Sequence, residues 1–174
     1  AGATLQLVGV GNPLGSVNNL LTLTSNPGLV GGALPHAVIR GPGNTLDLVK
    51  DGDPGVNYAP AAMAGADYDT DVNAVVTGNL KLTAPGTLTS PRTINALLLD
   101  GGVTLDTSTY TLTISSGQVV SDSGSNAIQS GVGGKVDFGT AEPLFFVDAT
   151  PTLTVSSPIA GSGNMRVELD GILV

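Results

Sequence analysis

The phrases Leu80-Lys81-Leu82-Thr83, Thr93-Ile94-Asn95-Ala96-Leu97-Leu98-Leu99, Thr111-Leu112-Thr113-Ile114 and Leu153-Thr154-Val155 decide the fold. Each is a short run built on Leu, Ile, Val and Thr that closes on a Gly, Ser or Asp turn. From Gly78 onward such runs recur about every 8 to 12 residues with no helical pattern between them. Two all-β architectures produce this texture. A sandwich alternates strictly and builds its core on larger aromatics. A β-solenoid stacks short strands that bend at Gly or Asn corners. The short alternations and small aliphatic residues here favour the solenoid, a right-handed parallel β-helix, with the β-sandwich as the alternative. Rungs of about 20 to 30 residues stacked about 4.8 Å apart would give about six to eight rungs and a rod on the order of 30–40 Å long.

Composition fits a narrow stacked core. The 174 residues suit one domain, and 41% of them are hydrophobic, with mean hydropathy +0.29. Aromatic residues make up 3%, with no Trp, so the interior must be Leu, Val, Ile and Ala. Charged residues are 11%, against about 25% in ordinary soluble domains. Nineteen Thr and thirteen Ser take their place as polar surface, which favours strands over helices. The 25 glycines follow no triplet, which excludes collagen.

Twelve of the fourteen acids are Asp, a residue of turns and calcium loops rather than helices. The net charge of −8 speaks against nucleic acid or an anionic membrane surface as partner, since both need a basic patch. Lys50, Lys81, Arg92, Lys135 and Arg166 are scattered rather than clustered. With no cysteine there is neither a disulfide framework nor a thiolate metal site. No signal peptide, membrane-spanning run or lipidation motif stands in the sequence. The chain opens on Ala1-Gly2-Ala3 and stops within the apolar phrase Gly171-Ile172-Leu173-Val174, and so reads as a slice of something longer.

The chain has two textures within one continuous domain. Residues 1–77 read as irregular rungs, with strand phrases at 3–8, 19–24, 36–40 and 45–50, interrupted by a long loop over 51–71 that projects from the rod. Residues 78–174 read as regular rungs, with Pro85, Pro91, Pro143, Pro151 and Pro158 at run edges, where a missing N–H costs no ladder bond. The expected core is Leu97, Leu99, Leu105, Leu112, Ile114, Val136, Phe138, Leu153 and Val155.

Several phrases resemble a known family. Ala1-Gly2-Ala3-Thr4-Leu5-Gln6-Leu7 is similar to the closing phrase of autotransporter-associated β-strand repeats. The block from Ile94 to Gly102 and the phrase Tyr110-Thr111-Leu112-Thr113-Ile114-Ser115-Ser116-Gly117 resemble the long spacer rungs of those proteins. Leu153-Thr154-Val155-Ser156-Ser157-Pro158-Ile159-Ala160-Gly161-Ser162-Gly163 is the most specific piece. Where the family continues with Lys and Gly, this chain has Asn164-Met165-Arg166-Val167-Glu168-Leu169-Asp170-Gly171. The resemblance covers roughly half the chain. It implies a right-handed parallel β-helix within a large secreted bacterial surface protein, and it carries no catalytic residues across.

The residues capable of chemistry are few. His36 is the sole histidine, and with no Cys and no Gly-x-Ser-x-Gly phrase it supports neither a catalytic triad nor zinc. Gly9-Val10-Gly11 and Gly131-Val132-Gly133-Gly134-Lys135 open no helix, so they read as turns rather than phosphate cradles. Asp67, Asp69 and Asp71 fall on one face of an extended segment, where they are either a solvated loop or the start of a calcium site lacking the EF-hand's Gly and Glu. With Arg92 they are also what a polysaccharide-cleaving β-helix would place in its groove. Thr22/Thr24, Thr87/Thr89, Thr109/Thr111/Thr113 and Thr152/Thr154 would resemble an ice-binding face if stacked in register.

These residues point to a non-enzymatic structural segment of a secreted or surface-displayed bacterial fibre, adhesin or autotransporter-like passenger. The alternative is a carbohydrate-active β-helix, lyase or hydrolase. No catalytic residue, cofactor or metal ligand is assigned, and whether Asp67, Asp69 and Asp71 bind calcium stays open. The expected partners are copies of itself or flanking rungs of the same chain, with surface glycans as a further class. The expected location is extracellular or on the bacterial surface.

Overall fold

Apolar runs such as Leu97-Leu98-Leu99 and Leu144-Phe145-Phe146-Val147 do not alternate, and a strand of that kind is buried on both faces. In the computed structural model both runs are covered on both sides. The structure describes every residue except 1, 2, 15, 17, 26, 42, 53–57, 75–77, 151, 169 and 170. It is all-β, 45% strand and 2% helical. The first part carries β1 (Leu5–Val8), β2 (Ala37–Arg40), β3 (Leu46–Asp51) and β4 (Pro60–Ala62), then a 3-10 turn (Gly65–Asp67) and β5 (Tyr68–Asp69).

Four successive turns follow: β6 (Asn79–Leu82), β7 (Gly86–Thr87) and β8 (Arg92–Ile94); β9 (Leu97–Leu99), β10 (Thr104–Asp106) and β11 (Thr111–Ile114); β12 (Gln118–Ser121), β13 (Asn126–Gln129) and β14 (Lys135–Asp137); β15 (Leu144–Val147), β16 (Thr152–Val155) and β17 (Ile159–Ala160). Then come β18 (Arg166–Glu168) and β19 (Ile172–Leu173). From β6 onward every third strand pairs in parallel, and β5 pairs in parallel with β6, giving three sheets: β5-β6-β9-β12-β15-β18, β7-β10-β13-β16-β19 and β8-β11-β14-β17. The chain is thus a three-sided parallel β-solenoid of about four turns.

Register sets the length of each turn. Leu80 lies beside Leu97, Leu97 beside Val119, Val119 beside Phe145 and Phe145 beside Val167. Those residues form one interior column. Leu105 stacks on Ile128, and Leu112 on Val136, along the other two walls. The nine expected core residues all belong to this interior; eight are buried and Val155 packs against them half-buried. Phe138 and Phe145 meet edge to face with ring centroids 5.8 Å apart, filling the wider turn between β12 and β17.

Residues before β5 do not form rungs, contrary to the reading of 1–77. There β1 and β2 are parallel, but β2-β3 and β3-β4 are antiparallel, so this segment is a separate mixed sheet. That is also why the solenoid has about four turns rather than six to eight. The mixed sheet lies on the outer face of the β6-β9-β12-β15 wall. Ala96, Leu98, Val120, Leu144 and Phe146 of the wall pack against Val38, Leu46, Leu48 and Met63. The far side of the mixed sheet has its own core, Leu7, Leu34, Ala37, Ile39, Val49 and Tyr58, partly roofed by Leu14, Leu23 and Leu29. The expected strand over 19–24 is absent: Asn19 and Leu23 make only isolated bridges, to Ser16 and Tyr58.

Corners are set by glycines. Gly117 turns the chain into β12 at φ 80°, and a Cβ there would sit 2.1 Å from the Glu142 carbonyl oxygen of the next turn. Only glycine fits both the left-handed backbone and that approach.

Two substitutions test the double-sided wall. Leu97 faces the interior and Leu98 faces the mixed sheet, and both are fully buried. Leu97→Ala and Leu98→Ala should each cost about 2–5 kcal/mol in urea unfolding. A bare rod would give Leu98→Ala an effect within about 0.5 kcal/mol, as at any exposed site.

Candidate functional site

The residues singled out from the sequence do not converge. Asp67 ends the 3-10 turn, where its Oδ2 accepts from Lys50 Nζ and from the Ala64 N–H, both at 2.6 Å. The Lys50 hydrogen bond holds its carboxyl below the usual carboxylate range. Asp69 lies on the short edge strand β5, exposed. Asp71 Oδ1 accepts the Asn73 N–H at 2.8 Å in a local turn. Among the described residues no group of three or more acids and His is placed to hold a metal ion.

Nor does 51–71 project as one loop. Asp51 closes β3, Tyr58 and Ala59 are buried, β4 pairs with β3, and Tyr68 packs beneath the mixed sheet. Its middle, 53–57, lies outside the described residues. Arg92 Nη2 donates to the carbonyl of Asn73, whose own N–H donates to Asp71. His36 occupies a turn at φ 63°, with Nδ1 buried and lacking a hydrogen-bond partner. The Thr pairs do not stack into one array: Thr113 lies between Thr93 and Asp137, and Ala127 between Thr104 and Thr154.

What the fold brings together instead is two polar seams flanking the covered wall. At the start of the wall strands, amides reach up to the backbone of the amino-terminal segment. Asn79 Nδ2 donates to Gly31 O at 3.0 Å, Asn95 Nδ2 to Val30 O at 2.8 Å, and Gln118 Nε2 to Ala37 O at 2.6 Å. Asn95 also donates to Asn79 Oδ1 at 2.7 Å, which links the amides of the first two turns.

At the other end of the wall strands stands a column of carboxylates. Asp100, Asp122 and Asp148 each follow directly on strands in register, after Leu99, Ser121 and Val147. Asp100 pairs with Lys81 at 3.2 Å, Asp122 Oδ1 accepts the Leu46 N–H at 2.7 Å, and Asp148 meets Arg40 at 2.6 Å.

The column is electrostatically uneven. Burial pushes the Asp122 carboxyl up; the Leu46 N–H opposes this, while the Asp100 and Asp148 charges add to it. Burial also disfavours Asp148, but the Arg40 hydrogen bond, the Ala149 N–H and the Arg40 charge outweigh it and hold Asp148 below the usual range. Beyond the column, Asp47 on β3 is pushed up by burial despite the hydroxyl of Tyr68 that it accepts. Burial in turn raises the Tyr68 phenol, together with the Asp47 charge.

The sequence did carry a signal for this column. Asp100, Asp122, Asp148 and Asp170 each precede a small residue, and Asp100 and Asp148 directly follow apolar runs. Their separations of 22, 26 and 22 residues match the register steps from Leu97 to Val119 to Phe145 to Val167. A cleft of about 610 Å³ opens where the mixed sheet meets the first turn, lined by Lys50, Asp51, Asp67, Asn79, Met63, Leu29 and three glycines. Its charged rim is the Lys50–Asp67 ion pair together with Asp51.

Chemically, the seams fasten one sheet on another. Of the carboxylates, one per rung, Asp122 and Asp148 are matched by a backbone donor and a cation of the covering layer, and Asp100 by Lys81 and Ser123 of the solenoid. No family model, curated protein or solved structure matches the chain. Among the described residues no helix is long and apolar enough to cross a membrane.

Two predictions follow from the acidic seam. Arg40→Ala leaves Asp148 buried and unpaired, and should cost about 3–5 kcal/mol by urea unfolding at neutral pH. Asp122 acts in the opposite sense. Because its carboxyl is raised in the fold, the folded state holds the extra proton, and stability falls as pH rises from 3.8 through the raised value. Asp122→Asn removes that loss, so the variant should gain on the wild type across this window, read from unfolding midpoints at stepped pH.

Proposed function

We propose that the chain is a non-enzymatic structural segment of a secreted or surface-displayed bacterial fibre, adhesin or autotransporter-like passenger. The observation that carries this is how the polar side chains are used. The buried carboxylates and amides join the mixed sheet to the solenoid wall, and the stack itself is packed by Leu, Val, Ile and Phe. The sequence resemblance supports the same reading, and so does a surface of Thr, Ser and Asp with a net charge of −8, which offers nothing basic to nucleic acid or anionic lipid. Partners of the proposed segment are copies of itself, flanking rungs, or surface glycans.

The carbohydrate-active alternative drew on Arg92 with Asp67, Asp69 and Asp71. The Arg92 guanidinium is engaged by the Asn73 carbonyl and the Asp67 carboxylate by Lys50, and these engagements support the structural reading over the enzymatic one.

Incubation of the purified chain with a panel of neutral and uronic-acid polysaccharides should release neither reducing ends nor unsaturated products above the buffer control. Release that scales with protein concentration would overturn the structural reading. For location, an antibody to the chain should label intact producing cells without permeabilisation; labelling only after lysis would contradict surface display.

A further inference from the structure

One wall of the solenoid starts at β7: among the described residues, the sheet β19-β16-β13-β10-β7 has no strand beyond it. β10 takes one edge of β7, with Leu105 beside Gly86 and Asp106 beside Thr87. The Leu88 N–H continues that pairing, donating to Asp106 O at 2.9 Å. Backbone groups along a strand point alternately to its two neighbours. Thr87 O and the Thr89 N–H therefore face away from β10, toward the place a further strand would occupy.

A side chain holds that place. Asn73 Nδ2 donates to Thr87 O at 2.8 Å, and Asn73 Oδ1 accepts the Thr89 N–H at 2.9 Å. In a parallel ladder, one residue of the neighbouring strand donates its N–H to the carbonyl on one side of its counterpart and accepts the N–H on the other. The Asn73 carboxamide makes this same pair of bonds about Leu88. It thus stands in for one peptide unit of a parallel strand. Oδ1 also accepts the Thr89 hydroxyl at 2.9 Å. A strand adding to the edge needs Thr87 O and the Thr89 N–H free, and both are used.

Polar and apolar contacts together fix Asn73 there. Asp71 Oδ1 accepts its N–H at 2.8 Å, and Arg92 Nη2 donates to its carbonyl. On one side of it Val72 is buried in the interior cluster, and on the other Ala74 packs against that cluster. Val72 lies directly over Gly86, where an added Cβ would come within 3.2 Å of Val72 Cγ1. Residues 71–74 thereby plug the interior and present the carboxamide to the edge in one short segment. The neighbouring wall is closed by other means, the two-residue strand β5 lying parallel to β6.

We propose that Asn73 is a strand stop: its carboxamide occupies the β7 edge in place of a parallel strand and prevents a strand of another chain from adding there. This goes beyond the structural reading and does not depend on it, because a glycan-cleaving solenoid would need the same stop. Copies or flanking rungs of the kind proposed above then meet the chain at a surface other than this edge.

Amide exchange and sedimentation of the full chain test it. Thr89 is exposed, yet its amide should exchange slowly in the wild type. N73A should speed that exchange on the order of tenfold and leave the Leu88 amide, bonded within the sheet, unchanged. N73A should also sediment as heavier species than the wild type at equal micromolar concentration. N73S, whose hydroxyl is too short to reach both groups, should do the same and carries the comparison if N73A does not fold. Thr87 is exposed on β7, and a lysine there opposes pairing at that edge, so N73A combined with T87K should return to the wild-type profile. That reversal separates strand addition at β7 from aggregation of a weakened fold, which a charge at Thr87 would not cure. A wild-type Thr89 amide that exchanges as fast as an unbonded one would overturn the proposal. So would folded Asn73 variants that sediment like the wild type, or association that T87K leaves intact.

Discussion

The structure depends on one wall that is apolar on both sides. In β9, β12 and β15, alternate side chains enter the solenoid and the residues between them enter the layer above. Leu97, Val119 and Phe145 fill the stack, while Leu98, Val120 and Phe146 fill the interface. A parallel sheet of this kind is stable only when both faces are covered. The amino-terminal mixed sheet is therefore a structural requirement of the wall, and it cannot be treated as an appendage. At 174 residues a solenoid of about four turns has little interior, and the second layer supplies the additional buried area.

The polar seams explain why the covering layer sits in one place. Apolar packing alone tolerates sliding, whereas amide-to-carbonyl and carboxylate-to-donor bonds do not. β3 runs across the rungs: Leu46 at one end reaches Asp122 of the third turn, and Lys50 at the other reaches Asp67 beside the first. Arg40 on β2 reaches the fourth turn at Asp148. One short sheet thereby bonds to the third and fourth turns and to the 3-10 turn before the first. The same solution places buried carboxylates one rung apart, and the chain answers each with a different partner so that the repulsion among them does not accumulate.

The sequence revealed the solenoid through its repeated short strands, and the inward residues through their alternation. Leu105, Leu112, Ile114 and Leu153 are where that alternation puts them. The covering layer is absent from the sequence expectations because Leu97-Leu98-Leu99 reads there as part of a rung phrase, while its lack of alternation, like that of Leu144-Phe145-Phe146-Val147, signals a second buried face. The acidic phrase Asp67 to Asp71 drew attention by its density. The acids that organise the fold are the isolated ones, spaced by whole turns, and their meaning depends on register that no local window contains. His36 and Arg92 show the converse: residues with catalytic potential by type whose surroundings give them turn and backbone contacts.

The central claim is that the mixed sheet and the wall are one cooperative unit, and native-state amide hydrogen exchange tests it most directly. The amides of Leu46, Leu48 and Val49 on β3 should exchange with the same free energy as those of Leu98 on β9 and Val120 on β12, through global unfolding. Exchange of the β3 amides at a much lower free energy, with the wall strands still protected, would show a detachable cover and would contradict the account.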